Sequence, residues 1–268
     1  MSVAAPQILF AMQQTSGTVC TNSGTVATNG AVNTTSTTST ENTNWSWNAG
    51  PPTYWRAITP DHGTGQAWIG ATTITLPTTN TQSAWLAIGF RLASFATSNS
   101  KGYLIGTTNG DDQTGGLSVR AVSPTAGGNF DLQCWYQNGS GLGITQAFTG
   151  MVFGTDYRVI YGADTTSPGA SVAKFKLDSA SIVNGNGASF SVNGTTAFVN
   201  NMGYIGRGGG FNNYNGITGR IYYVAHWRGI TLSDADLASV NTDPTTITGW
   251  PGAVTGGFLN RNYWWGNQ

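Results

Sequence analysis

From Gln66 onward, apolar side chains recur at every second position in short runs, and each run ends in a cluster of Gly, Asn, Asp or Pro. A period of two is the repeat of a β-strand, whose successive side chains point to opposite faces. Runs of this length, punctuated by turn residues, predict an all-β domain of stacked antiparallel sheets. The expected strands are Gln66–Leu76, Ala84–Leu92, Tyr103–Thr107, Leu117–Val122, Asn129–Gln137, Tyr157–Ala163, Ser171–Leu177, Gly203–Gly206 and Gly219–Arg228. In Ala84–Leu92 the residues Leu86, Ile88, Phe90 and Leu92 share one face and Ala87, Gly89 and Arg91 the other, which predicts a half-buried strand. In Asn129–Gln137 the inward set is Phe130, Leu132, Cys134 and Tyr136, leaving Asp131, Gln133 and Trp135 opposite; a slip of one residue exchanges the two sets.

A single helix is signalled. Ser233 caps its start, Asp234 and Asp236 sit near the positive end of its dipole, Leu237 and Val240 supply a short apolar face, and Pro244 ends it.

The first 65 residues read differently. After the short apolar run Gln7–Met12 comes a stretch of Thr, Asn, Ser and Gly that includes NTTSTTST and holds almost no large side chain before Trp45 and Trp47. Alone it buries too little surface to offset its ordering entropy. Residues 1–65 are therefore expected to form a polar arm with a short apolar strand, lying either along its own domain or against a neighbour. Residues 66–245 form the sandwich and 246–268 an aromatic tail, in which Tyr263, Trp264 and Trp265 must pack somewhere. The start, MSVAAPQILFAMQQ, lacks the basic residues and long apolar stretch of a secretory signal, and no run of about 18 apolar residues exists to span a bilayer.

Charge narrows the partners. Only 8% of the 268 residues are charged, against roughly a quarter in ordinary domains. Net charge is zero and the eleven Lys and Arg are scattered along the sequence, which argues against a nucleic-acid partner. A surface of hydroxyls and amides is cheap to desolvate and suits subunit packing or hydrogen bonding to sugars.

The segment Met202–Pro244 has a short strand ending in Ile205 and Gly206, a glycine-rich loop from Gly208 to Gly216, the spaced residues Gly219, Ile221, Val224 and Trp227, and the helix start Leu232–Leu237. This order resembles the carboxy-terminal half of laminin-G-like, concanavalin A-like lectin/glucanase domains. Ser83–Leu92 and Thr155–Asp164 look like upstream core strands of that family. The resemblance covers about residues 66–245 and implies a concanavalin A-like jelly roll of two antiparallel sheets, employed in adhesion, glycan binding or glycan cleavage. Domains of this sort also look common among bacteriophage structural proteins, often beside polar arms, and the composition of this chain is similar to those.

Glycan cleavage needs two carboxyl groups across the scissile bond. The glucanase branch of the family implies alternating Glu and Asp on one strand, whereas the one Glu here, Glu41, lies in the polar amino-terminal segment. No G-x-S-x-G elbow is present, and His62 and His226 read as a turn residue and a packed strand residue. The chain is therefore expected not to be an enzyme. The loop Thr107–Gly116 reads as a β-turn, with a calcium site on Asn109, Asp111 and Asp112 as its alternative, and no other cofactor is expected. Cys134, in an apolar strand, is expected to be a buried free thiol.

Binding residues follow from the same patterns. Trp135, flanked by Asp131 and Gln133 and with Arg120 and Arg158 on strands expected nearby, offers a stacking ring and planar polar groups for a glycan; its alternative is burial under the arm or a neighbouring subunit. Phe211 and Tyr214 in the glycine-rich loop, and Trp264 and Trp265 in the tail, are candidate contact anchors. The expected function is that of a non-catalytic virion surface protein, a capsid decoration or head or tail fibre component, with copies of itself, other virion proteins and glycans as partners. The alternative is a free carbohydrate-binding module or adhesin.

Overall fold

The computed structural model describes residues 2–14, 16, 18–32, 45–48, 53–57, 69–70, 76, 82–93, 101–106, 116–122, 129–137, 143–164, 173–184, 203–206 and 216–251. Its strands, numbered in chain order, form two sheets with antiparallel ladders. The first runs in the order β14 (Val183–Asn184), β13 (Lys174–Leu177), β12 (Asp156–Asp164), β7 (Ser83–Leu92), β16 (Gly219–Arg228), β5 (Tyr54–Ala57) and β4 (Trp45–Asn48), and β1 (Ile8–Phe10) also pairs with β16. The second runs β11 (Gly143–Met151), β10 (Phe130–Gln137), β9 (Leu117–Val122), β8 (Lys101–Gly106), β15 (Tyr204–Ile205), β6 (Ile69–Gly70), β3 (Gly30–Val32) and β2 (Val19–Cys20). Non-consecutive strands neighbour each other along β12-β7-β16-β5 and β8-β15-β6-β3, so the chain crosses repeatedly between sheets, and the fold is a jelly-roll sandwich of the concanavalin A-like kind.

The inward faces make one core. Leu86, Ile88, Phe90 and Leu92 of β7 meet Leu117, Val119 and Ala121 of β9 and Phe130, Leu132 and Cys134 of β10 in a single apolar cluster. The inward set expected for β10 is therefore found for Phe130, Leu132 and Cys134, with Asp131 and Gln133 only half-buried.

β7 departs from the half-buried strand expected of it. Its residues are buried on both faces except Arg91, because Trp85 and Ala87 belong to a second apolar layer with Leu9, Ile160, Tyr223, Ala225, Trp227, Leu237 and Val240. That layer is capped by α1 (Asp234–Thr242), the one α-helix among the described residues. Ser233 caps it through a capping box: its Oγ accepts from Asp236 N at 3.2 Å while Asp236 Oδ2 accepts from Ser233 N at 2.9 Å. Pro244 lies two residues beyond its end and opens a short 3-10 turn.

The sheets are not confined to residues 66–245, since β1 to β5 all precede residue 66. The described amino-terminal residues lie along their own domain: Ile8, Leu9, Phe10, Met12 and Cys20 are fully buried. Three polar contacts fix the lead-in, namely Gln7 N to His226 O at 3.0 Å, Trp227 Nε1 to Ala4 O at 2.7 Å and Arg228 N to Gln7 Oε1 at 2.7 Å. Composition hid this because five apolar residues in a polar stretch suffice once they land between and upon sheets. Of Gln66–Leu76, Ile69–Gly70 is the described strand, and in Ser171–Leu177 the strand begins at Lys174.

Both cysteines are buried free thiols. Burial pushes each thiol well above its usual pKa, which leaves both unreactive. His226 is the packed strand residue expected: it is 1% exposed, points into the core between Ile8 and Leu86, and burial beside Arg228 pushes its pKa down to about 3.

Two outcomes follow. A Cβ added at Gly89 would stand 2.6 Å from Cε1 of the Tyr223 ring, itself held edge-on by Trp250 at 5.7 Å. Gly89→Ala should cost about 1–3 kcal/mol in denaturant unfolding, and much of this should return when Tyr223→Leu is added. The neutral His226 gives the second. As pH falls through about 6.5 the unfolded chain takes up a proton the folded one refuses, so stability should fall with a steepening slope that approaches about 1.4 kcal/mol per pH unit near pH 5. Thermal melts between about pH 5 and 6.5 should show this slope in the wild type and a flatter one in His226→Leu.

Candidate functional site

Alternation on β9 and β10 sends Leu117, Val119 and Ala121, and Phe130, Leu132 and Cys134, into the core. It leaves Ser118, Arg120 and Val122, with Asp131 and Gln133, half-buried on the outer face of the second sheet. Register then assembles a polar row. Arg120 stands opposite Gln133 on one side and opposite Tyr103 of β8 on the other. Its Nε donates to Gln133 Oε1 at 2.7 Å and its Nη1 to Tyr103 Oη at 3.1 Å, with the guanidinium carbon 6.0 Å from the Tyr103 ring centre. A guanidinium, an amide and a phenol are thus held in fixed relative orientation by three adjacent strands, and Tyr103 is only 2% exposed.

Asp131 lies one pleat along the same face, where its Oδ1 accepts from Gly150 N at 3.2 Å. Trp135 lies one pleat the other way, opposite Ser118 and Thr145. Its backbone position is on the face with Gln133, as expected; its side chain lies outside the described residues. Tyr103 was not foreseen. Nothing local in its sequence marks it, because its role comes from facing Arg120 across a ladder.

Arg158 does not join this group. It belongs to β12, which pairs with β7 and β13 in the other sheet. Its Nη1 donates to Thr242 O at the end of α1, and its backbone N donates to Asp178 Oδ1 at 2.7 Å. It clips the helix to the sandwich. The expectation failed because jelly-roll neighbours are set by crossovers between sheets, which alternation within one strand does not reveal. Phe211, Tyr214, Trp264, Trp265, Asn109, Asp111 and Asp112 lie outside the described residues. Among the described residues no group of three or more His, Cys, Asp or Glu is placed to hold a metal ion, and no helix is long and apolar enough to cross a membrane.

The described carboxylates all have structural work. Asp131 accepts from Gly150 N, Asp156 from Tyr222 Oη and Asp164 from Thr231 Oγ1. Asp178 accepts from Arg158 N and Asp234 from Lys174 Nζ. Asp236 and Asp243 cap the helix and the 3-10 turn. Asp178 is shifted upward, chiefly by burial, against the lowering pull of the Arg158 amide and guanidinium.

A concave feature adjoins the amino-terminal segment. A cleft of about 380 Å³ is lined by Gln13, Gln14, Ser16, Thr21, Ser23 and Pro251, with amides and hydroxyls predominating. Met12, at its edge, holds a left-handed φ of 49°.

No protein-family model and no curated protein matches the chain. Among solved structures, the binding domain of Botulinum Neurotoxin DC in complex with SialylT superposes with a TM-score of 0.57 at 10% identity, over 91% of this chain and 52% of that one. Trypanosoma rangeli sialidase in complex with the inhibitor DANA gives 0.54 at 11% identity, over 90% of this chain and 33% of that one. A heptameric SAP-like pentraxin from Limulus polyphemus gives 0.49 at 14% identity, over 68% and 79%. At these identities the likeness to the toxin domain and the sialidase is one of fold, and it agrees with the two-sheet sandwich described above.

Proposed function

We propose that this chain is a non-catalytic, lectin-like sandwich that binds glycans on the outer face of its second sheet. The observation that carries the reading is the row Tyr103–Arg120–Gln133. Sugars are recognised by planar groups that donate and accept in fixed directions, which Arg120 and Gln133 present on this face while the buried Tyr103 hydroxyl orients the guanidinium. The row supplies the planar groups already oriented, so little ordering entropy is lost on binding. The seven described carboxylates support binding over hydrolysis, since each is engaged by an amide, hydroxyl or ammonium of its own fold.

A fold shared by binding domains and hydrolases decides nothing between them. The packing of the described amino-terminal residues onto their own sandwich supports a self-standing module, because an arm docked into a neighbour would leave its apolar residues outside this core. The second reading is a virion surface component, a capsid decoration or fibre part assembled in a host and acting outside it. What favours it is the 8% charge content, suited to close packing of copies.

Glycan-array screening followed by titration calorimetry tests the first reading. Arg120→Ala and Gln133→Ala should each weaken the best array ligand by about tenfold, the loss expected for a charge-assisted hydrogen bond of about 1.5 kcal/mol. Unchanged affinity in both variants would rule out this face. Light-scattering mass separates the two settings: a monomer is expected of a module, and a defined oligomer of an assembly part.

A further inference from the structure

The outer face of the first sheet carries a second row, of different chemistry. Arg220 of β16 stands directly opposite Arg56 of β5 on one side and Arg91 of β7 on the other. The row continues to Ser46 of β4 beyond Arg56 and to Asp156 of β12 beyond Arg91. Directly opposed residues on antiparallel strands share a face, so three guanidiniums project side by side from three adjacent strands. Strand spacing sets them over roughly 10 Å.

Like charges directly opposite one another are destabilising. Within the row three arginines face one acid, 3 − 1 = +2, in a chain whose net charge is zero. The acid is already committed: Asp156 accepts from Tyr222 Oη and its Oδ2 lies 3.9 Å from Arg91 Nη1. Arg220 lies over the ring of Tyr54, its guanidinium carbon 4.6 Å from the centre, and Tyr54 meets Tyr222 edge to face at 6.1 Å. Arg56 is exposed, and the side chain of Arg91 retains 31% of its accessible surface. The second apolar layer and α1 cover the part of this face around Trp85, Ala87, Ala225 and Trp227, and the arginines lie at the other end of β7 and β16.

We infer that this arginine row is an anion site for acidic sugars, taking the carboxylate or sulfate of a short glycan. It deepens the glycan-binding reading and rests on it, by naming a substrate class and a second face. Guanidinium forks match the planar oxygens of a carboxylate or the oxygens of a sulfate in pairs, which an ammonium does not. The aromatic flank of Tyr54 and the hydroxyl and amide of Ser46 and Asn48 suit the sugar that carries the anion. A nucleic acid needs a longer basic track than three side chains provide, since duplex DNA presents a charge about every 1.7 Å.

The test uses the full chain and four probes in titration calorimetry: a galacturonate oligosaccharide, a sulfated heparin tetrasaccharide, a neutral oligosaccharide of equal length, and single-stranded DNA of equal charge. The wild type should bind at least one acidic sugar, more weakly as salt rises, and prefer it to the DNA. Arg56→Gln combined with Arg220→Gln should weaken acidic-sugar binding at least tenfold, leave neutral-sugar binding unchanged, and melt no lower than the wild type because a repulsion has been removed. Undiminished acidic-sugar binding in that variant, or DNA binding at least as tight as sugar, would overturn the row as a site for acidic glycans. Loss of acidic-sugar binding in Arg120→Gln alone would also overturn it and return the ligand to the second sheet. If no sugar of either kind binds the wild type, the glycan reading itself falls.

Discussion

The pairing of β7 with β16 is the constraint from which the rest of the structure follows. Both strands are ten residues long and buried on both faces along most of their length. An antiparallel sheet normally needs one apolar face, the other being left to solvent. Here Trp85, Ala87, Tyr223, Ala225 and Trp227 make the second face apolar too, so the sandwich requires a third layer. α1 supplies it with Leu237 and Val240, joined by Val3, Leu232 and Ile247, and Gly89 leaves room for the Tyr223 ring where a methyl group would collide.

This layering explains how much of the fold could be read from the chain. The inward residues of β7, β9 and β10 were legible because alternation is a local property; Leu86, Ile88 and Phe90, or Leu117 and Val119, declare their face within a few residues. The helix was legible for the same reason, its capping box lying within Ser233–Asp236. The outer burial of β7 was not, because Ala87 and Gly89 look like a solvent face until Trp227 and Val240 arrive from 138 or more positions away in sequence. β11 escaped notice because its run of Gly, Thr and Gln shows no clean period, and its strand character comes from the ladder with β10.

The candidate site divides along the same line. Asp131, Gln133 and the position of Trp135 were readable as one face of one strand, and Arg120 joined them because β9 is the next strand in sequence and in space. Arg158 was misplaced, since its strand follows β11 in the chain yet crosses to the other sheet, where it serves the helix instead. Tyr103 and the Arg56–Arg220–Arg91 row were invisible, because each is defined by register between strands whose order the sequence does not state.

Register also resolves an apparent contradiction in the composition. Scattered basic residues in a neutral, charge-poor chain argue against a nucleic-acid partner, and that argument holds for a polymer read end to end. Folding changes the measure of scatter from sequence distance to lattice distance. Arg56, Arg91 and Arg220 are separated by 35 and 129 positions in the chain, yet occupy one cross-strand line with Asp156 at its end. Asp156 is the acid on that line, so three aligned guanidiniums set up a local positive field that the zero net charge of the chain does not reveal.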